Sequence, residues 1–131
     1  MSPTTQARLS RTLGIVCFHP LYSTPGEPFL RKHRFGHMYA PRKLLAWVES
    51  ADPTGLFQTV TLPQLQWSGS YQRRSPHAMI NVLWSHQLEA AENKRDSENL
   101  YVRNVRRLLK EGIPKLEREA AKERRALRKA R

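Results

Sequence analysis

Prolines set the limits on what this chain can fold into. Nine of its 131 residues are proline, and six of those, at 3, 20, 25, 28, 41 and 53, lie within the first 55. Each ring fixes φ, removes an amide donor and pushes the preceding residue out of the α region. Long helices are therefore blocked in the N-terminal half, and extended backbone is favoured. From His77 to Glu111 the opposite holds, because neither Pro nor Gly interrupts the chain. The pattern predicts a mainly α protein with an extended N-terminal arm and a small β-hairpin. A helical hairpin, or one long helix, then leads into a basic C-terminal helix.

Four stretches follow from this. Residues 1–28 read as a basic extended arm, ending in the turn "STPGEP" (Ser23–Pro28). Residues 29–76 read as a basic and aromatic segment. Within it "PRKLLAWVES" forms one short helix with Pro41 in its first turn. Leu44, Leu45 and Val48 make the buried stripe of that helix, with Trp47 at its edge, and "ADPTG" (Ala51–Gly55) is a turn. "LFQTVTL" (Leu56–Leu62) alternates in the manner of a strand, "LQW" continues it beyond Pro63, and "SGS" turns the chain. Residues 77–111 read as an amphipathic helix or helical hairpin. Met79, Val82, Leu83, His86 and Ala90 share one helical face, broadened by Ile80, Trp84, Leu88 and Ala91. The polar patch "ENKRDSEN" (Glu92–Asn99) is either a loop between two helices or the exposed middle of one. With a break there, Asp96 or Ser97 caps a second helix, and Tyr101, Val105, Leu108 and Leu109 face the first. "EGIP" (Glu111–Pro114) is a helix stop, and residues 112–131 are a basic helical tail with too few apolar positions to bury a face of its own.

Charge narrows the function. The chain carries 23 Lys+Arg against 11 Asp+Glu, a formal +12, which attracts polyanions or anionic surfaces. A single cysteine, Cys17, excludes an intramolecular disulfide and fits a reducing compartment. No apolar run approaches the roughly 20 residues of a membrane-spanning helix. The first 26 residues hold no acid, and "MSPTTQARLSRTLGIVCF" puts Leu9, Leu13 and Val16 on one face if helical. That is the character of an organelle-import segment, or of an ordinary basic arm.

The candidate binding residues are basic throughout. "FLRKHRFGHMYAPRKLLAW" (Phe29–Trp47) holds Arg31, Lys32, Arg34, Arg42 and Lys43 with two histidines and no acid. Such side chains neutralise phosphates and release counterions. Phe35, Tyr39 and Trp47 either stack on unpaired bases or pack in the core. Gly36 lets backbone approach a phosphate closely. Arg73 and Arg74 stand just before the expected helix at His77, whose N-terminus favours an anion, or else form a solvated turn with Ser75 as cap. Arg103, Arg106 and Arg107 recur opposite the apolar stripe, and Arg124, Arg125, Arg128 and Lys129 continue the charge into the tail. Cys17, His19, His33 and His37 amount to a tetrahedral zinc set, but the tight first pair argues against it, and no metal or cofactor is expected. No phosphate loop, nucleophile elbow or paired-carboxylate pattern appears, so no catalytic residue is assigned and an enzyme is not expected.

A short chain that is basic from end to end, with meandering prolines and helices that cannot bury themselves, resembles accessory proteins of mitochondrial ribosomes. The resemblance is one of general character over the whole chain and carries over no residue roles. It implies a structural constituent of a ribonucleoprotein in the mitochondrial matrix. The partners would be ribosomal RNA and neighbouring ribosomal proteins, with no small-molecule substrate. The alternative is a non-catalytic accessory subunit of a mitochondrial membrane complex, its basic helices lying on anionic lipid.

Overall fold

Apolar residues at helical spacing form the core where three helices meet. The computed structural model describes residues 13–33, 35–52, 59–84 and 95–130. In chain order these form β1 (Leu13–Phe18), α1 (Glu27–His33), α2 (Pro41–Ala51), α3 (Leu62–Tyr71), β2 (Met79–Trp84), α4 (Arg95–Glu111) and α5 (Ile113–Lys129). The protein is mainly helical with one two-stranded antiparallel sheet.

Helix α2 follows the expected pattern. Pro41 sits in its first turn, Leu44 and Val48 are buried, and Leu45 and Trp47 pack against the core from its edge. Helices α2, α3 and α4 pack on one another. Leu44, Leu65 and Val105 are almost fully enclosed between them, and Met38 and Tyr39 belong to the same buried cluster. The small face of α3, Ser68–Gly69–Ser70, is what allows the close approach. A Cβ at Gly69 would lie 3.2 Å from Met38 Cγ and 3.3 Å from Leu44 Cδ1. Helix α4 ends at Glu111 as "EGIP" predicts. Gly112 takes φ of 97° and donates its amide to Leu108, and Pro114 falls in the first turn of α5. Only Leu116 of α5 is buried, so this helix rests on the body through one side.

Three local expectations are corrected. The expected strand continuation "LQW" and the "SGS" turn are helical, within α3. Thr61 and Gln64 form a capping box: Gln64 N donates to Thr61 Oγ1 at 3.3 Å, and Thr61 N donates to Gln64 Oε1 at 2.9 Å. Pro63 sits in the first turn, where its missing amide costs nothing. Leu56, Phe57 and Gln58 of the expected first strand lie outside the described residues.

The sheet is therefore built elsewhere. Met79–Trp84 is a strand rather than the start of a helix, and Leu13–Phe18 is its antiparallel partner, running from Leu13↔Trp84 to Phe18↔Met79. A short apolar run fits both periods, and here the long-range partner decides. So residues 77–111 are neither one helix nor a helical hairpin. Helix α4 starts at Arg95 and packs on α2 and α3, not on a helix from His77. Finally, the arm expected over residues 1–28 is a paired strand at Leu13–Phe18, and α1 opens at Glu27, where the sequence pattern predicts no helix. Residues 1–12 and 85–94, with most of the import-like segment and part of the polar patch, lie outside the described residues.

Candidate nucleic-acid interface

Helical spacing sorts α4 and α5 into an apolar side and a cationic side. On α4, Val102 and Val105 are buried and Leu109 packs against the core. At 3.6 residues per turn Arg107 falls almost diametrically opposite, with Arg103 and Lys110 to one side of it, and all three are exposed. Arg106 is half-buried at the edge of this row.

Helix α5 repeats the arrangement. Ile113, Leu116, Ala120 and Leu127 turn inward. Lys115, Arg118, Lys122, Arg125 and Lys129, spaced by three and four residues, make a row on the far side, with Arg128 beside it. The row spans about 21 Å at 1.5 Å per residue. Lys115 is bonded to Glu111 at 2.8 Å, while Glu119 and Glu123 flank the row instead of interrupting it. Lys115, Arg118 and Lys122 are not among the residues expected from the sequence. Continuing the three-and-four spacing back from Arg125 finds them. Arg124, in contrast, is half-buried on the inner side of α5, beside Tyr71 and Arg74 in a groove of about 140 Å³.

The α1–α2 patch is mixed. Glu27 lies between two guanidiniums, 3.3 Å from Arg42 and 3.9 Å from Arg31. Arg31 and Arg42 are 77% and 73% exposed, so these ion pairs are weak and open to exchange with another anion. Lys32 is exposed in the last turn of α1. Lys43 lies over two rings, 5.0 Å from the centroid of Tyr39 and 5.6 Å from that of Trp47. Tyr39, Trp47 and Tyr101 pack on one another with centroids 4.9 to 5.8 Å apart, so Tyr39 and Trp47 belong to the core edge. Phe29 and Phe35 remain exposed. Arg34 lies outside the described residues.

Arg73 and Arg74 diverge. No helix begins at His77, so the expected anion-favouring N-terminus beside them is absent, and Ser75 Oγ bonds the carbonyl of His77 instead of capping. Arg74 Nη1 donates to Glu117 Oε1 at 2.6 Å and its Nε to the Tyr22 carbonyl at 3.3 Å. Trp67 Nε1 donates to the same Glu117 oxygen at 2.7 Å. The Trp67 hydrogen bond, then the one from Arg74, holds the Glu117 carboxyl below its ordinary range. This triad pins α5 to α3. Arg73 is buried at 9% exposure, with its guanidinium 5.8 Å from the centre of the Phe18 ring.

Around Arg73 the polar groups are ordered. Met38 N donates to Tyr22 Oη at 3.0 Å, leaving the hydroxyl proton for His37 Nδ1 at 2.9 Å. That arrangement suits a neutral imidazole with its proton on Nε2. Burial, then the charge of Arg73, lowers the pKa of His37, and burial raises that of Tyr22. Gly36 approaches β1 rather than an open surface. Its carbonyl accepts from Cys17 N at 2.9 Å, at φ of 85°.

The residues of the zinc set have other partners: His19 Nδ1 accepts from Leu21 N at 3.0 Å, and His33 packs on Phe29. Among the described residues no group of three or more His, Cys, Asp or Glu is placed to hold a metal ion. Among them also, no helix is long and apolar enough to cross a membrane. No protein-family model, no curated protein and no solved structure matches the chain.

Proposed function

We propose that this protein is a structural RNA-binding component of a large ribonucleoprotein, with a mitochondrial ribosome as its host in the matrix. The observation that carries this reading is the two-sided build of α4 and α5. Each helix packs through one side and turns Lys and Arg to the other, and no acid intervenes in the Lys115–Lys129 row of α5. Such rows neutralise successive phosphates of a folded RNA without reading its sequence. The role is non-catalytic: the helices hold a charge pattern still while RNA segments are brought together against it. Arg31, Lys32, Arg42 and Lys43 supply a second contact, with Glu27 giving way to phosphate.

Neighbouring proteins of the same particle are the second class of partner. Ile80, Val82 and Trp84 alternate along one face of β2 and are 67%, 56% and 58% exposed. A contiguous apolar face of this kind is more than a scatter of surface hydrophobes and suits burial against protein. The acid-free first 26 residues support the mitochondrial setting.

Filter binding of a folded RNA across a salt series tests the reading. Neutralising about six phosphates gives a slope of log K against log[salt] of roughly −4 to −5. A flat response would sink it. In cell extracts the protein should leave its particle on treatment with RNase. Release by detergent alone would point to a lipid-bound complex.

A further inference from the structure

Between the end of α3 and the far half of α5 lies a partly open groove of about 140 Å³. Its frame is apolar: Pro20, Pro76 and Leu127, with the ring of Tyr71. Trp67 packs on that ring, the two centroids 5.0 Å apart. A space of about 150 Å³ accepts one six-membered ring. The groove therefore suits a single flat ring and not a fused pair. Two of its polar side chains are already committed, Arg74 to Glu117 at 2.6 Å and Ser75 Oγ to the His77 carbonyl. Two others are not. Glu123 and Arg124 stand next to each other on α5 and both line the groove. Among the described residues neither side chain has an ion pair or a hydrogen-bond partner. Arg124 is half-buried, so its guanidinium has lost part of its hydration and still needs acceptors. The groove thus offers a carboxylate acceptor and a guanidinium donor beside an aromatic wall. Arg128, exposed and one turn beyond Arg124, continues the positive charge on the same side of the helix.

We infer that this groove takes one unpaired cytosine base of the bound RNA. The inference rests on the RNA-binding reading above and adds a read base to the phosphate contacts. Bases splayed out of a folded RNA are recognised on their Watson–Crick edges beside aromatic side chains. Cytosine presents an amino donor at N4 next to acceptors at N3 and O2. Glu123 accepts from N4, and Arg124 donates to N3 and O2. Uracil reverses the first two positions. Its O4 would meet the carboxylate, oxygen against oxygen, and its N3–H would meet the guanidinium. Adenine also sets an amino donor beside an acceptor, but on two fused rings. Arg128 is then left for the phosphate of the same nucleotide. One such base would fix the register of the protein on its RNA, which the exposed rows cannot do.

The test uses the full-length chain and three RNA hairpins that differ at one loop nucleotide, which is cytosine, uracil or adenine. The wild type should bind the cytosine hairpin about tenfold more tightly than either of the others. In Glu123→Gln, whose amide can accept from N4 or donate to O4, the preference for cytosine over uracil should vanish. Arg125→Gln, from the exposed row, should weaken all three hairpins alike, by about threefold or less, and keep the preference. A preference that survives in Glu123→Gln would overturn the inference. So would equal wild-type affinity for the cytosine hairpin and either of the others; on a steep salt dependence, that result leaves the RNA reading intact. No binding of any hairpin by the wild type removes that reading, and the inference with it. Should Glu123→Gln fail to fold, the wild type alone decides. Cytidine monophosphate should shift the NMR ring signals of Tyr71 saturably, and more than uridine monophosphate does. Equal shifts, or none, overturn the inference.

Discussion

Gly36 and His37, adjacent in sequence, set two distinct constraints on the same corner of the molecule. At Gly36 a Cβ would lie 2.8 Å from Cys17 Sγ, on a backbone with φ of 85°. Gly36→Ala should therefore lower stability by about 1–2 kcal/mol from the left-handed backbone alone, and by more once the sulfur is displaced. Gly112→Ala, at φ of 97° and ψ of 133° with nothing within 4 Å, carries a backbone cost but no contact cost. Adding Cys17→Ala should therefore restore part of the urea midpoint lost in Gly36→Ala and none of that lost in Gly112→Ala; recovery in neither would refute this. At His37 the pKa is lowered by burial and then by Arg73, while Tyr22 is the hydrogen-bonding group that faces it and Phe29 the neighbouring ring. The folded state thus prefers the neutral ring. Its stabilising effect is complete above the ordinary histidine pKa of about 6.5 and is lost as pH falls from there towards the lowered folded value. Thermal melts across that window should fall with pH in the wild type and fall less in His37→Gln. Sequence alone pointed to Gly36 as an approach for phosphate, and it set His37 aside as a metal ligand without finding its partner. Their partners, Cys17 and Tyr22, reach them through backbone turns that no local pattern specifies.

Elements were legible where one segment carries its own instructions. Helix α2 could be read from Pro41 and the Leu44, Leu45, Val48 spacing, and the α4–α5 break from Gly112 and Pro114. Helix α3 was legible too, through the T-x-x-Q box at Thr61–Gln64, but the β-rich run before it concealed the signal. Strand β2 was not, since Met79–Trp84 satisfies a helical period as well as an alternating one and only β1 decides between them. The cationic row of α5 makes its own prediction. Lys122→Gln with Arg125→Gln lies on the side away from Leu116 and Glu117, so circular dichroism should be unchanged. The slope of log K against log[salt] for RNA should become shallower by about 2, one for each phosphate that the double variant no longer neutralises. An unaltered slope would take α5 out of the interface.

For the whole molecule the net charge of +12 acts in two opposed directions. It repels itself in the folded state and attracts a polyanion. Salt screens both over a Debye length of about 8–10 Å near physiological strength. Raising salt should therefore raise the melting temperature of the free protein while weakening its hold on RNA. Melts and binding curves that move together would contradict this. What the sequence by itself determined is the material of the interface: where the cations are, that α4 and α5 have two unlike sides, and that no acid interrupts the Lys115–Lys129 row. These follow from spacing along a helix, which is local. Only the tertiary structure decided that two apolar runs far apart in the chain become one sheet, that Arg74 joins Glu117 and Trp67, and that Arg73 is enclosed beside Phe18. Each depends on which distant residues meet, and a long-range contact forms only after loop closure has brought its two halves together.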